Sequence, residues 1–183
     1  MSLVIGMKLP TVKSVLVIGD TRSCNDTNIM APEEKVFRIG RFILGAVGTT
    51  ADRYAFLYGL PADTDLTDPV FVMNRIALAV TPVREALKVG HITPGQEEFS
   101  IDLLIADGRA LCEANQNGHI WPVGNFAALG SGARVARYLL HKHYHPGLTQ
   151  DEAVALGTMI ITEVALVDTA VAPPATWMVT DGR

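Results

Sequence analysis

Four groups of residues have types and spacing that could do chemistry. The first is Gly19-Asp20-Thr21-Arg22, a carboxylate and a hydroxyl directly after a run of apolar, β-branched residues. Asp and Thr there can satisfy the backbone of a tight turn. The second is Lys35, at the entry to another apolar run. A lone lysine at a strand end is usually solvated. The third is Gly130-Ser131-Gly132, between an apolar run and a helical pattern. Consecutive amides at such a turn can hold an anion or an oxyanion, or simply make the turn. It is not a nucleophile elbow, which needs Gly-x-Ser-x-Gly. The fourth is His141, His143 and His145 around Lys142. A metal site needs more ligands and a supporting shell, and histidines in a last helical turn suit the helix dipole anyway. No metal and no cofactor are expected.

These residues need elements to position them. Val4 to Lys8 and Ser14 to Gly19 read as strands joined across Pro10-Thr11. Lys35 to Ile39 and Phe42 to Val47 read as a second hairpin, turning at Gly40-Arg41. Thr49 to Asp52 fits a capping pattern, so a helix is expected from there to about Tyr58. Val70, Met73, Ile76, Ala77, Val80 and Leu87 recur at helical spacing and predict a second helix. Phe99 to Ile105 alternates, and Asp107-Gly108 turns the chain into Ala110 to Ala114. Asn117-Gly118 predicts another turn, and a short strand ends near Leu129. Two helices follow, Ala133 to about Tyr144 and Thr149 towards Asp168, the latter opening on a capping box. Ala175 to Thr180 reads as a final strand. Strands and helices come in segregated blocks, which argues α+β with antiparallel sheet covered by helices.

Composition narrows the function classes. The chain has 183 residues, room for about one domain, so 1–183 is read as a single domain. Hydrophobic residues make up 49% and charged residues 19%, a balance that excludes a disordered chain. A net charge of −4 recommends neither nucleic acid nor an anionic membrane as a partner. Cys24 and Cys112 lie far apart in no metal spacing, and no apolar run is long enough to span a membrane. A reduced, cytoplasmic protein is the expectation.

The order of the candidate residues says more than any one of them. Asp20, Lys35, Ser131 and Asp168 fall one each at four element ends. With Val15-Leu16-Val17-Ile18-Gly19-Asp20-Thr21-Arg22, Glu34-Lys35-Val36-Phe37-Arg38-Ile39, Gly45-Ala46-Val47-Gly48-Thr49-Thr50-Ala51-Asp52, and Leu103 to Gly108 followed by Ala127 to Gly132, the chain resembles the proteasome β-subunit and HslV-type family of N-terminal-nucleophile hydrolases along nearly its whole length. The resemblance implies a four-layer αββα sandwich, with two antiparallel sheets between helix layers. It implies peptide or unfolded protein as substrate, self-association into a ring, and an ATP-dependent unfoldase as partner.

The family's chemistry uses the hydroxyl of the first residue as nucleophile and that residue's own α-amine as base. An α-amine titrates at about 8, so it is substantially neutral at physiological pH. By position, Lys35 takes the role of the cation that tunes this amine, with Asp20 pairing it. Ser131 and Asp168 orient the amine, Gly48 supplies the oxyanion amide, and Arg22 is structural. Counting back from Asp20 at the family's spacing lands on Val4, which has no hydroxyl. A first hairpin two residues longer, accommodated by Leu9 to Lys13, places Ser2 there instead. A retained Met1 would tie up the Ser2 amine in a peptide bond. Three functions therefore compete: a ring peptidase, a catalytically silent relative with an assembly role, and a small-molecule amidase on the same fold.

Overall fold

The computed structural model describes residues 2–22, 32–48, 101–115 and 120–182. Among the described residues, two antiparallel sheets and two helices form. β1 (Leu3–Leu9) and β2 (Ser14–Asp20) make a hairpin in which Leu9 faces Ser14, so Pro10 to Lys13 form the turn. β3 (Val36–Ile39) and β4 (Phe42–Gly48) make the second hairpin. β5 (Ile101–Asp107), β6 (Ala110–Ala114) and β7 (Ile120–Pro122) extend that sheet in the order β3-β4-β5-β6-β7. The first sheet is completed by β8 (Phe126–Gly130) on one side and β9 (Ala175–Val179) on the other, giving β8-β1-β2-β9.

Alternation along the strands decides which core each side chain enters. Leu3, Ile5, Met7 and Leu9 of β1 point to one face and pack with Leu16 and Ile18 of β2. That face is covered by α1 (Ala133–His143) and α2 (Gln150–Ala165), through Ala136, Leu140, Ile160 and Val164. Val4 and Val17 point the other way and meet Ile43, Leu104, Ala106 and Leu111 of the second sheet. The sheets pack closely where Gly45 faces Val4: a Cβ on Gly45 would overlap the Cγ1 of Val4. The outer face of the second sheet, with Phe42, Leu44, Ala46, Ile101 and Leu103, is buried as well. Sheets apolar on both faces need cover on both sides. Among the described residues the architecture is the expected α+β arrangement of two antiparallel sheets, with α1 and α2 over the first; the helix layer expected over the second lies outside the described residues.

The elements differ from the sequence reading in detail. β3 begins at Val36, leaving Lys35 just ahead of it. α2 ends at Ala165 rather than near Asp168. No glycine stops α2; instead Leu166 and Val167 bond back to Glu163 and Val164, a tightened last turn. The expected helices over 49–58 and 70–87 and the turn at Asn117-Gly118 lie outside the described residues. Among the described residues, no helix is long and apolar enough to cross a membrane.

Candidate active site

The centre of the site is the end of β2. Asp20 is fully buried and uses both carboxylate oxygens. Its Oδ1 accepts from the Leu3 backbone N–H at 2.7 Å and from Lys35 Nζ at 2.7 Å. Its Oδ2 accepts from the Arg22 backbone N–H at 2.9 Å. Lys35 is only 1% exposed and also donates to the Arg22 carbonyl. The local fold explains the convergence. Hairpin pairing sets Val4 against Gly19, which brings the Leu3 amide to the Asp20 side chain. Lys35 is fixed by its own carbonyl, which accepts from Ala46 N–H at 2.9 Å and starts the β3–β4 ladder. The strand-end lysine is therefore buried against a carboxylate rather than solvated. Removing two charges from water costs several kcal/mol per ion, and such a pair persists only where its hydrogen bonds are supplied by neighbours. Here they are.

Ser2 lies beside this pair and is 3% exposed. On its far side is the Gly130-Ser131-Gly132 turn. Leu3 pairs with Gly130, the last residue of β8. Gly130 has φ of 101°, and a Cβ there would overlap the Ser2 carbonyl oxygen. Glycine is required on both grounds. The Ser131 hydroxyl donates to the same carbonyl at 3.5 Å. The Ser2–Leu3 peptide is thus held from both sides, its N–H by Asp20 and its C=O by the Ser131 turn.

Other candidates fall differently. Asp168 follows α2, and its Oδ1 accepts from the Ala170 N–H at 2.9 Å, closing a turn. Among the described residues, the hydrogen bond it makes is this local one, and none joins it to Ser2 or Ser131. Its loop is joined to the centre by Arg22, whose guanidinium donates to the Thr169 carbonyl at 2.6 Å. Arg22 does more than the structural role expected of it: its backbone N–H and C=O both serve the Asp20–Lys35 pair, and backbone roles leave no side-chain signal. Thr21, which the sequence offers as a turn residue, donates its hydroxyl to a distant carbonyl instead, that of Pro174 at 3.0 Å. Gly48 closes β4 with φ of 140°. His141 stands edge-on to Phe126, with ring centroids 4.9 Å apart, and His143 and His145 are exposed. Among the described residues, no group of three or more His, Cys, Asp or Glu is placed to hold a metal.

Comparison with known proteins points in one direction. The family model described as "Proteasome subunit" matches residues 85–172. No curated protein matches the chain. Solved structures match over nearly all of it. Anbu (ancestral beta-subunit) from Yersinia bercovieri is similar at 12% identity and a TM-score of 0.77, covering 97% of this chain and 81% of that one. BPH from Thiobacillus denitrificans is similar at 20% identity and 0.73, covering 98% and 97%. HslV from Trypanosoma brucei is similar at 14% identity and 0.68, covering 97% and 98%. At such identities the likeness establishes fold, not activity. The chain has the proteasome-like α+β fold and, in motif order as in three-dimensional form, resembles the proteasome β-subunit and HslV-type family of N-terminal-nucleophile hydrolases.

Proposed function

We propose that the chain is an N-terminal-nucleophile peptidase with Ser2 as nucleophile once Met1 is removed. The reading rests on one observation: a buried Lys35–Asp20 pair converges on the Leu3 amide, immediately beside Ser2. In this reading the free Ser2 amine takes the proton of the Ser2 hydroxyl, and Oγ attacks the carbonyl carbon of a peptide amide. The Gly48 N–H holds the oxyanion. The intermediate collapses, the amine proton passes to the leaving amine, and an ester to Ser2 remains. Water, with the same amine as base, releases the acid. The Lys35 ammonium stabilises the negative charge that develops near Oγ. Ser131 and Asp168 orient the amine. Asp168 spends its Oδ1 on its own turn, where it accepts from the Ala170 N–H.

That engagement is the observation favouring a silent relative with an assembly role. A small-molecule amidase would share the site and differ in product. The proposed substrate is peptide or unfolded protein delivered to a ring of this chain, with an ATP-dependent unfoldase as partner and the cytoplasm as setting. Self-association draws support from one similar structure, described as a helical assembly of the Anbu complex from Pseudomonas aeruginosa. The test is a peptide-amide assay on protein whose intact mass shows Met1 removed. Turnover lost in Ser2→Ala is the expected result. No turnover in the processed wild type overturns the peptidase.

A further inference from the structure

From Ile101 to Ala106, β5 is apolar at every position but one. Ile101, Leu103 and Ile105 face outward, and Leu104 and Ala106 face the first sheet. Alternation puts Asp102 on the inner face with Leu104, beside the buried Val47 with which it pairs across the ladder. Real folds break their own pattern chiefly at functional or strained positions. Asp102 is exposed where the strand begins, and among the described residues no hydrogen bond or ion pair engages its carboxylate. The protein around it still pushes its carboxyl above the ordinary range by desolvation, with no cation to offset the effect.

This carboxylate lies next to the proposed chemistry. Gly45 presses on Val4, Ala46 N–H bonds the Lys35 carbonyl, and Lys35 Nζ reaches Asp20. Beyond Gly45, β4 therefore runs towards Ser2 through Val47 to Gly48, and Asp102 stands beside Val47 at the mouth between the sheets. The two flanks of that mouth differ. β3, which follows Lys35, packs on β2 and β9, whereas β5 reaches across to β8, the strand that ends at the Ser131 turn. Lys35 and Asp102 thus occupy opposite flanks of Ser2, the carboxylate on the Ser131 side. In the proposed reaction the leaving amine takes its proton from the Ser2 amine, which Ser131 orients, so the leaving half of the substrate occupies this flank. We infer that Asp102 selects peptides with a cationic side chain, Lys or Arg, on the residue immediately beyond the scissile bond, an inference that rests on the peptidase reading and names that site's substrate class. A carboxylate held partly out of water without a partner gains from a cation that brings hydrogen-bond donors, and it opposes a second carboxylate.

The experiment separates binding from turnover. Binding is read by fluorescence anisotropy on the Ser2→Ala chain, with labelled alanine-rich peptides carrying one Lys, one Glu or neither. The Lys peptide should bind about tenfold more tightly than the Glu peptide. In the same background Asp102→Asn should remove that preference and Asp102→Lys should reverse it. Asp151→Asn, an equal loss of charge on α2, should leave it unchanged. Circular dichroism confirms the fold of each variant. With Ser2 intact and Met1 removed, mass spectrometry of a cleaved peptide mixture should find Lys or Arg enriched directly after the cut bond, and Asp102→Asn should abolish the enrichment. Equal affinity for the three peptides, a preference that survives Asp102→Asn, or one lost equally in Asp151→Asn overturns the inference. Turnover without the enrichment overturns it too and leaves the peptidase standing. Selective binding through Asp102 with no turnover sinks the peptidase instead and keeps Asp102 as the contact for a peptide cation.

Discussion

Lys35, Asp20 and Gly130 are the side chains and backbone position on which single substitutions report most directly. Lys35→Met removes the partner of a carboxylate that is fully buried. An uncompensated buried charge of this kind costs about 3–5 kcal/mol, so the denaturant midpoint should fall well below wild type. Asp20→Asn leaves the ammonium without its carboxylate and should fall comparably. If the chain is a peptidase, Lys35→Ala should also reduce turnover of peptide amides by about a hundredfold or more, since it removes charge stabilisation at the attacking oxygen. In a silent relative only stability moves, so the pair of measurements separates the two. Gly130→Ala forces a side chain into a left-handed backbone position and against the Ser2 carbonyl. It should destabilise by more than about 1 kcal/mol and displace Ser2; if the chain is a peptidase, turnover should fall more than the melting temperature alone would account for.

At the scale of elements, the α2 start is the clearest case of a sequence signal becoming structure. Thr149 caps the helix by accepting from the Glu152 N–H, and Glu152 reaches back to the Thr149 N–H at 2.8 Å. Thr149→Ala should cost about 1 kcal/mol, read from thermal unfolding. The backbone and hydroxyl hydrogen bonds from Thr149 hold the Glu152 carboxyl below its ordinary range. A carboxyl whose folded pKa is depressed contributes stability above its unfolded pKa and loses it as pH falls through the folded value. Acid unfolding of Glu152→Gln should therefore be shallower than that of wild type in this window. The capping box and the hairpin turns were legible because they rest on short-range chemistry. The end of α2 was not. Leu166 and Val167 continue the apolar pattern, yet both are exposed, so periodicity ran past the point where packing stopped.

For the molecule as a whole, the antiparallel sheets and the outer helices could be read from block order, whereas the closing of the site could not. Asp20, Lys35 and Ser131 come together because three separate pairings, β1–β2, β1–β8 and β3–β4, converge at one end of the sandwich. No local pattern encodes where Asp168 points, and its carboxylate turns into its own loop. What sets the site's dimensions is the spacing between the two sheets. Gly45 decides it, since a Cβ there would overlap Val4 Cγ1 and lie 2.9 Å from Val17 Cγ1. Gly45→Ala must push the sheets apart or force Val4 off its rotamer, and overpacking of this kind costs about 1–3 kcal/mol. Val4→Ala alone should cost about 1–3 kcal/mol through the lost contacts and the cavity. Together they should cost clearly less than the sum, because the new methyl occupies the space that Val4 vacates. The measurement is a double-mutant cycle by urea unfolding. Additive effects would mean that Gly45 is tolerated for some reason other than the closeness of the two sheets.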